Sequence, residues 1–244
     1  MHLHVLGSSS AGNCYLLIGE SSTLIIEAGV PLVKAKQALN YDLSKVNGLI
    51  ASHLHFDHFH RAQEYAAAGI DIYSNDEAIA KADIHPHRAN VMVEGLKYKI
   101  GEFMVQPFLL LHDVKNFGFL IKHPEMGLVC FLTDSYYSPF VFPGLNNVIV
   151  ECNYSDNVLE RNLETSKINP ALANRIRKSH MSEDTMIGFL KANDTTQVNN
   201  IVIIHLSNGN SDAEQIVRRV TETTGIVPHI AKPGLKIEFN KTAF

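Results

Sequence analysis

Short apolar runs, each closed by glycine, proline or a polar cluster, recur along this chain and predict many strands with helices set between them. In the first half, strands are expected at 2–6, 14–18, 23–27 and 46–51. The first two flank Gly7-Ser8-Ser9-Ser10-Ala11-Gly12-Asn13, a small-residue loop that either turns a hairpin or lies against a site. Pro31 opens a helix that runs through Leu39, since proline is tolerated in a first turn. A helix from Arg61 to Ala68 ends at Gly69, followed by strand 70–73 and helix 75–82. Strands then follow at 91–94, 97–100, 103–108, 117–121, 128–133 and 147–151. Helices are expected at 155–164, 170–178, 182–192 and 211–223, with strands at 200–204, 226–230 and 235–239. No long linker, repeat or low-complexity tract interrupts the pattern, so residues 1–244 read as one layered α/β domain.

Composition narrows the setting. The chain is 45% hydrophobic and 19% charged, as in globular proteins, and no apolar run reaches the roughly 20 residues that cross a bilayer. The segment Met1 to Gly7 has neither the basic start nor the long apolar centre of a signal peptide and reads as a first strand. Cys14, Cys130 and Cys152 are odd in number and scattered, with no CxxC pair, which points to free thiols in a reducing cytoplasm; without a bilayer-crossing run, no membrane partner is expected. Cys130 lies in an apolar strand and reads as a small core residue. The net charge of −4 gives no overall field that draws nucleic acid, although a local basic patch is compatible with it.

The chemistry concentrates at His53-Leu54-His55-Phe56-Asp57-His58, directly after the apolar run Val46 to Ala51. If the chain stays extended, His53 and His55 point to one side, because a strand has period two, and two neutral imidazoles can then grip one metal. Asp57 and His58 follow after a turn and can serve a second metal. Imidazole with carboxylate suits zinc, iron, manganese or nickel better than magnesium or calcium. An incidental polar loop is the bland alternative, which so dense a cluster disfavours. Four further apolar strands end in a metal-competent residue: His112 (with Asp113), Asp134 (with Ser135), Glu151, and His205 (with Leu206-Ser207). One such end is weak; a sheet, however, delivers its strand ends to one rim, where these could meet.

Taken in order, HLHFDH, His112, Thr133-Asp134-Ser135 and Ile204-His205-Leu206-Ser207 resemble the metallo-β-lactamase fold over nearly the whole chain. The resemblance implies a four-layer αβ/βα sandwich: two mixed sheets with helices on the outer faces and a two-metal site at one edge. It implies that His53, His55 and His112 hold one metal, that Asp57, His58 and His205 hold the other, and that Asp134 bridges them. Two divalent ions are expected, zinc first, with manganese or iron compatible. The Gly7–Asn13 loop, His112-Asp113, Glu151-Cys152-Asn153, Ser179-His180-Met181-Ser182 and His205-Leu206-Ser207-Asn208 further resemble the YycJ (WalJ) group, which is similar to ribonuclease Z and the other nucleases of the fold. By that resemblance His180 is the general acid for the leaving group, Glu151 supports it, and Asp57 is counted with the catalytic residues. The plain alternative makes His180 a surface residue before a helix that Ser182 caps. Glu27 stands where the family often has Asp. Neither the inserted domain of β-CASP nucleases nor the tRNA-binding arm of ribonuclease Z is evident, so tRNA processing is not the first expectation.

The expected function is therefore a dinuclear-metal-dependent phosphodiesterase of nuclease type, acting on DNA, RNA or a small phosphodiester through a metal-bridging hydroxide. Arg161, Lys167, Arg175, Arg177 and Lys178 could contact phosphate, or simply form a solvated helix face. The alternatives are a hydrolase of thioesters, lactones or cyclic phosphodiesters and an inactive metal-binding module; the complete ligand set weighs against the last. With no export signal, β-lactam hydrolysis is not expected. His2 and His4 are assigned to an edge strand, His60 to a turn or to a place behind the ligands, His123 to a hairpin and His229 to a late strand; His85-Pro86-His87 has ligand-like spacing but nothing nearby to complete a site.

Overall fold

In the computed structural model, which describes residues 1–242, the apolar runs pair into two sheets of seven strands each. In chain order the strands of the first sheet are β1 (His2–Gly7), β2 (Cys14–Ile18), β3 (Thr23–Ile26), β4 (Val46–Ile50), β5 (Ile72–Ser74), β6 (Ala89–Val91) and, from the end of the chain, β14 (Lys236–Glu238). The second sheet holds β7 (Tyr98–Ile100), β8 (Phe103–Leu110), β9 (Asn116–His123), β10 (Gly127–Leu132), β11 (Asn147–Glu151), β12 (Asn200–Ile204) and β13 (His229–Ile230). Both sheets are mixed. In the first, β14, β1, β2 and β3 pair antiparallel, and β3 to β6 run parallel. The second repeats this plan, with β7 to β10 antiparallel and β10 to β13 parallel.

Side-chain alternation explains the layering. On β2, Tyr15 and Leu17 enter the core between the sheets, while Cys14 and Leu16 face the other way. On β10, Val129 and Phe131 face that same central core, whereas Cys130 and Leu132 face outward. The outward faces are also buried, so these strands read as unbroken apolar runs rather than half-polar ones. The helices are α1 (Leu32–Ala38), α2 (Phe56–Phe59), α3 (Ala62–Ala67), α4 (Asp76–Lys81), α5 (Asp156–Glu164), α6 (Pro170–Ser179), α7 (Glu183–Ala192) and α8 (Ala213–Thr224). Ala35, Tyr65 and Ala78 from α1, α3 and α4 cover the first sheet. Met186, Leu190, Ile216 and Val220 from α7 and α8 cover the second. The result is helix, sheet, sheet, helix, the expected sandwich.

The differences from the sequence expectations are local. The strand expected at 91–94 forms instead at Ala89–Val91, and the one at 226–230 is reduced to His229–Ile230. β8 runs past its expected end at Phe108 to Leu110 and contains Pro107. This is tolerated because β7 pairs with β8 only over 103–105, so Pro107 has β9 on one side alone. His4 is not on an edge: β1 lies between β14 and β2, and the imidazole is buried. All three cysteines are buried and free. Among the described residues, no helix is long and apolar enough to cross a membrane.

Candidate metal centre

Strand ends build the site. β4 ends at Ile50 and leads through Ala51-Ser52 to His53. The chain stays extended at His55, then α2 makes a single turn that carries Asp57 and His58. β8 leads to His112, β10 to Asp134, β11 ends on Glu151, and β12 leads to His205. Register brings the last three together, since Leu132 lies beside Val150 and Glu151 beside Ile204. Glu27, Asp134 and His205 each sit in the left-handed region, with φ of 67°, 48° and 55°. Such a conformation costs a non-glycine residue roughly 1–3 kcal/mol. Specific contacts hold it: the Glu27 N–H donates to Ile50 O at 2.9 Å, the His205 N–H to Ser8 Oγ at 3.0 Å, and Asn116 Nδ2 to Asp134 O at 2.7 Å.

Three sets of donor atoms, each within 4.8 Å of one another, result: His53, His55, His112 and Asp134; Asp57, His58, Asp134 and His205; and Asp134, Glu151, His180 and His205. Asp134 belongs to all three. Its Oδ2 lies 3.6 Å from His53 Nε2, 3.3 Å from His58 Nε2 and 4.0 Å from His112 Nε2, while its Oδ1 lies 2.7 Å from His205 Nδ1. Asp57 Oδ2 approaches His58 Nε2 at 3.2 Å and His205 Nε2 at 3.4 Å. Every residue expected to hold metal is thus gathered at one rim. The donor set fits divalent metals on a second count. His53 Nε2 and His205 Nε2 are buried, have no hydrogen-bond partner among the described residues, and face the Asp134 and Asp57 carboxylates respectively. Orphaned buried nitrogens are costly in a folded protein unless something binds them.

Residues behind the donors fix their orientation, and several have no signature in the sequence. Ser52 Oγ meets His53 Nδ1 at 2.9 Å, which leaves Nε2 for the site. The carbonyl of Ser179 accepts from His112 Nδ1 at 3.1 Å. Asn13 Nδ2 donates to Asp57 Oδ2 at 3.1 Å and lies 3.1 Å from His58 Nε2, so the Gly7–Asn13 loop both turns the hairpin and lies against the site. Glu27 is fully buried, receives the Ser52 N–H at 3.3 Å on each oxygen and places Oε1 3.5 Å from His58 Nδ1. Such partners tune a ligand's basicity and direction.

Glu151 joins the donors to His180. Its Oε1 accepts from His180 Nδ1 at 2.7 Å and from His205 Nδ1 at 3.1 Å; its Oε2 accepts from the Ser135 N–H at 3.1 Å and the Met181 N–H at 3.4 Å. His180 is the residue after α6, not a free surface group, and 22% of its side chain is exposed. Ser182 does cap α7, accepting from the Thr185 N–H, so the plain alternative holds for the cap but not for His180.

Burial opposes charge throughout the cluster, and pairing decides each outcome. Burial, then the neighbouring His58, pushes His53 well below the usual imidazole range. Burial acts likewise on His58 and His205, but the Asp134 carboxylate outweighs it and both are raised well above that range. Burial would lift Asp134, yet His205 and His58 hold it well below the carboxylate range. For His180, burial is outweighed by Glu151, and the net direction is upward.

A cavity of about 510 Å³ opens beside His180 and His205. A larger one, about 620 Å³, lies elsewhere, lined by Gly69, His85 and His87; those two imidazoles touch, but among the described residues no third donor joins them. Of the five cations between Glu151 and His180, Arg175 lines the site cavity, Arg177 pairs with Glu160 at 2.5 Å, and Arg161, Lys167 and Lys178 are exposed.

Residues 9–113 match the family model of the metallo-beta-lactamase superfamily. No curated protein matches the sequence. The fold is similar to that of the metallo-beta-lactamase fold protein YhfI from Bacillus subtilis, at TM-score 0.73 and 17% identity, covering 97% of this chain and 99% of that one. It is also similar to human tRNase Z, short form, at TM-score 0.64 and 16% identity, covering 98% and 99%. A diphosphatase from the PhnP family aligns at TM-score 0.65 and 14% identity, covering 98% and 96%.

Proposed function

We propose that the chain, whose residues 9–113 match the metallo-beta-lactamase superfamily, is a metal-dependent phosphodiesterase of nuclease type, cleaving DNA, RNA or a small phosphodiester. His53, His55 and His112 hold one divalent ion, Asp57, His58 and His205 the other, and Asp134 serves both; zinc suits this imidazole-rich set best. Bound there, the two ions supply Lewis-acid polarisation of the phosphoryl group and a water of lowered pKa. The chain's own contribution is to orient and to transfer a proton. Histidines and carboxylates, several of them fixed from behind by Ser52, Ser179, Asn13 and Glu27, preset the positions that receive the phosphoryl oxygens. Three buried free thiols suit a reducing, cytoplasmic setting.

The observation that carries the proposal is the 2.7 Å contact between His180 Nδ1 and Glu151 Oε1 at the rim of the cluster. It leaves Nε2 as the proton-bearing atom, on a ring that reaches the cavity. Glu151 favours the imidazolium, so His180 can hold a proton at Nε2 and give it to the leaving oxygen. General acid catalysis contributes about 10²–10⁴-fold, and only where the leaving group needs the proton. His180→Ala should therefore lose about 10²–10⁴-fold on an oligonucleotide, which expels an alkoxide, and much less on bis-p-nitrophenyl phosphate, whose phenolate leaves unaided. Equal losses on both substrates, with metal content retained, would show that His180 is not the acid.

A further inference from the structure

The cavity beside the cluster has a composition that the metal chemistry does not require. His180 and His205 line it, together with Ser9, Ser207 and Asn208 from loops. Arg175 reaches it from α6. No carboxylate lines it, although the adjoining cluster is rich in them. Arg175 is exposed and, unlike its neighbour Arg177, pairs with no carboxylate among the described residues. An unpaired guanidinium beside hydroxyl and amide groups, with no negative charge among the lining residues, selects for an anion; the planar fork of Arg matches phosphate oxygens. The volume of about 510 Å³ is in the range of roughly 300–1,000 Å³ typical of small-molecule sites.

We infer that this cavity is a subsite for a second phosphate on the leaving fragment, with Arg175 as its binding residue. The inference rests on the phosphodiesterase reading, because His180, proposed to protonate the leaving oxygen, lines the same cavity and so places it on the leaving-group side. It makes the substrate a chain or nucleotide with a further phosphate beyond the scissile one, rather than an isolated diester. The exposed position of Arg175 means that its replacement leaves the core intact.

Binding tests the subsite independently of catalysis. Adenosine 3′,5′-bisphosphate and adenosine 5′-monophosphate are titrated calorimetrically into zinc-loaded wild type and Arg175→Gln. Wild type should prefer the bisphosphate by about tenfold, the worth of one charge-assisted contact after solvent screening, and Arg175→Gln should lose that preference. Equal affinity of wild type for the two ligands, absence of binding by either, or a preference that survives Arg175→Gln overturns the inference. Hydrolysis of bis-p-nitrophenyl phosphate by wild type, run alongside, reports on the phosphodiesterase reading itself, so the two failures are separable.

Discussion

Glu151→Gln is the most revealing substitution, because one buried carboxylate accepts four hydrogen bonds. Two come from imidazoles, His180 Nδ1 at 2.7 Å and His205 Nδ1 at 3.1 Å; two come from the backbone, Ser135 N at 3.1 Å and Met181 N at 3.4 Å. Glutamine is nearly isosteric but has one oxygen. Whichever way the amide turns, its NH₂ faces either the two imidazole donors or the two backbone donors. Each donor stranded in this way costs about 1–3 kcal/mol, and breaking a buried charge pair costs about 3–5 kcal/mol. These overlap rather than add, so about 3–5 kcal/mol is expected. For a chain of this size that is about 6–20 °C of melting temperature. The assay is thermal unfolding of chelator-treated protein, which keeps metal affinity out of the comparison. His180→Ala alone leaves the carboxylate its other three donors and should cost about 1 kcal/mol. Combined with Glu151→Gln it should cost less than the sum, because the stranded imidazole is gone. A Glu151→Gln protein melting within about 2 °C of wild type would refute the claim that this carboxylate organises the rim.

Two other expectations follow from the same geometry. A Cβ at Gly29 would lie 1.8 Å from the Asp57 carbonyl oxygen and 2.5 Å from the Asn13 nitrogen, so Gly29→Ala must displace the α2 turn that carries Asp57 and His58. Overpacking typically costs about 1–3 kcal/mol, and loss of one of two bound metals should appear by elemental analysis; full occupancy at wild-type affinity would contradict this. The second concerns pH. In the metal-free protein His58 and His205 are raised above their ordinary 6.5, so their pairing contributes stability that is complete below pH 6.5 and fades as pH rises through the raised values. Asp134 is depressed, and its contribution is lost only as pH falls through its lowered value; the depressed His53 matters only below pH 6.5. From pH 6.5 to about 8, short of the thiol range, the metal-free melting temperature should fall. Zinc must displace the same protons, so the zinc-loaded value should hold or rise over that interval. A flat or rising metal-free curve would count against the assigned pairing.

Much of the site was legible because its donors follow apolar strands or crowd into six residues. The run from His53 to His58 announces itself by density, and His112, Asp134, Glu151 and His205 each end a strand that the apolar pattern marks. Parallel pairing of β10, β11 and β12 then aligns three of those ends. What could not be read was set by tertiary pairing. Asn13 and Ser52 have the composition of ordinary loop residues; only their contacts with Asp57, His58 and His53 give them a role. The left-handed backbone at Asp134 and His205 contradicts local propensity and is held by Asn116 and Ser8 from other strands and loops. Among the strands, the short ones moved: β6 and β13 are too brief for their own pattern to fix a register, and their partners fix it instead. His4 misled for a related reason. The chain's last strand, β14, pairs with β1 and turns a presumed edge into an interior position.

In the proposed mechanism the clustered donors hold two metals, and those metals make this chain cleave phosphodiesters. The most direct test is to strip the protein, titrate zinc or manganese back, and measure the metal bound per chain together with cleavage of bis-p-nitrophenyl phosphate and of labelled single- and double-stranded DNA and RNA. Two ions should bind per chain, and cleavage should rise with their binding. Two ions bound with no cleavage of any phosphodiester would contradict this mechanism.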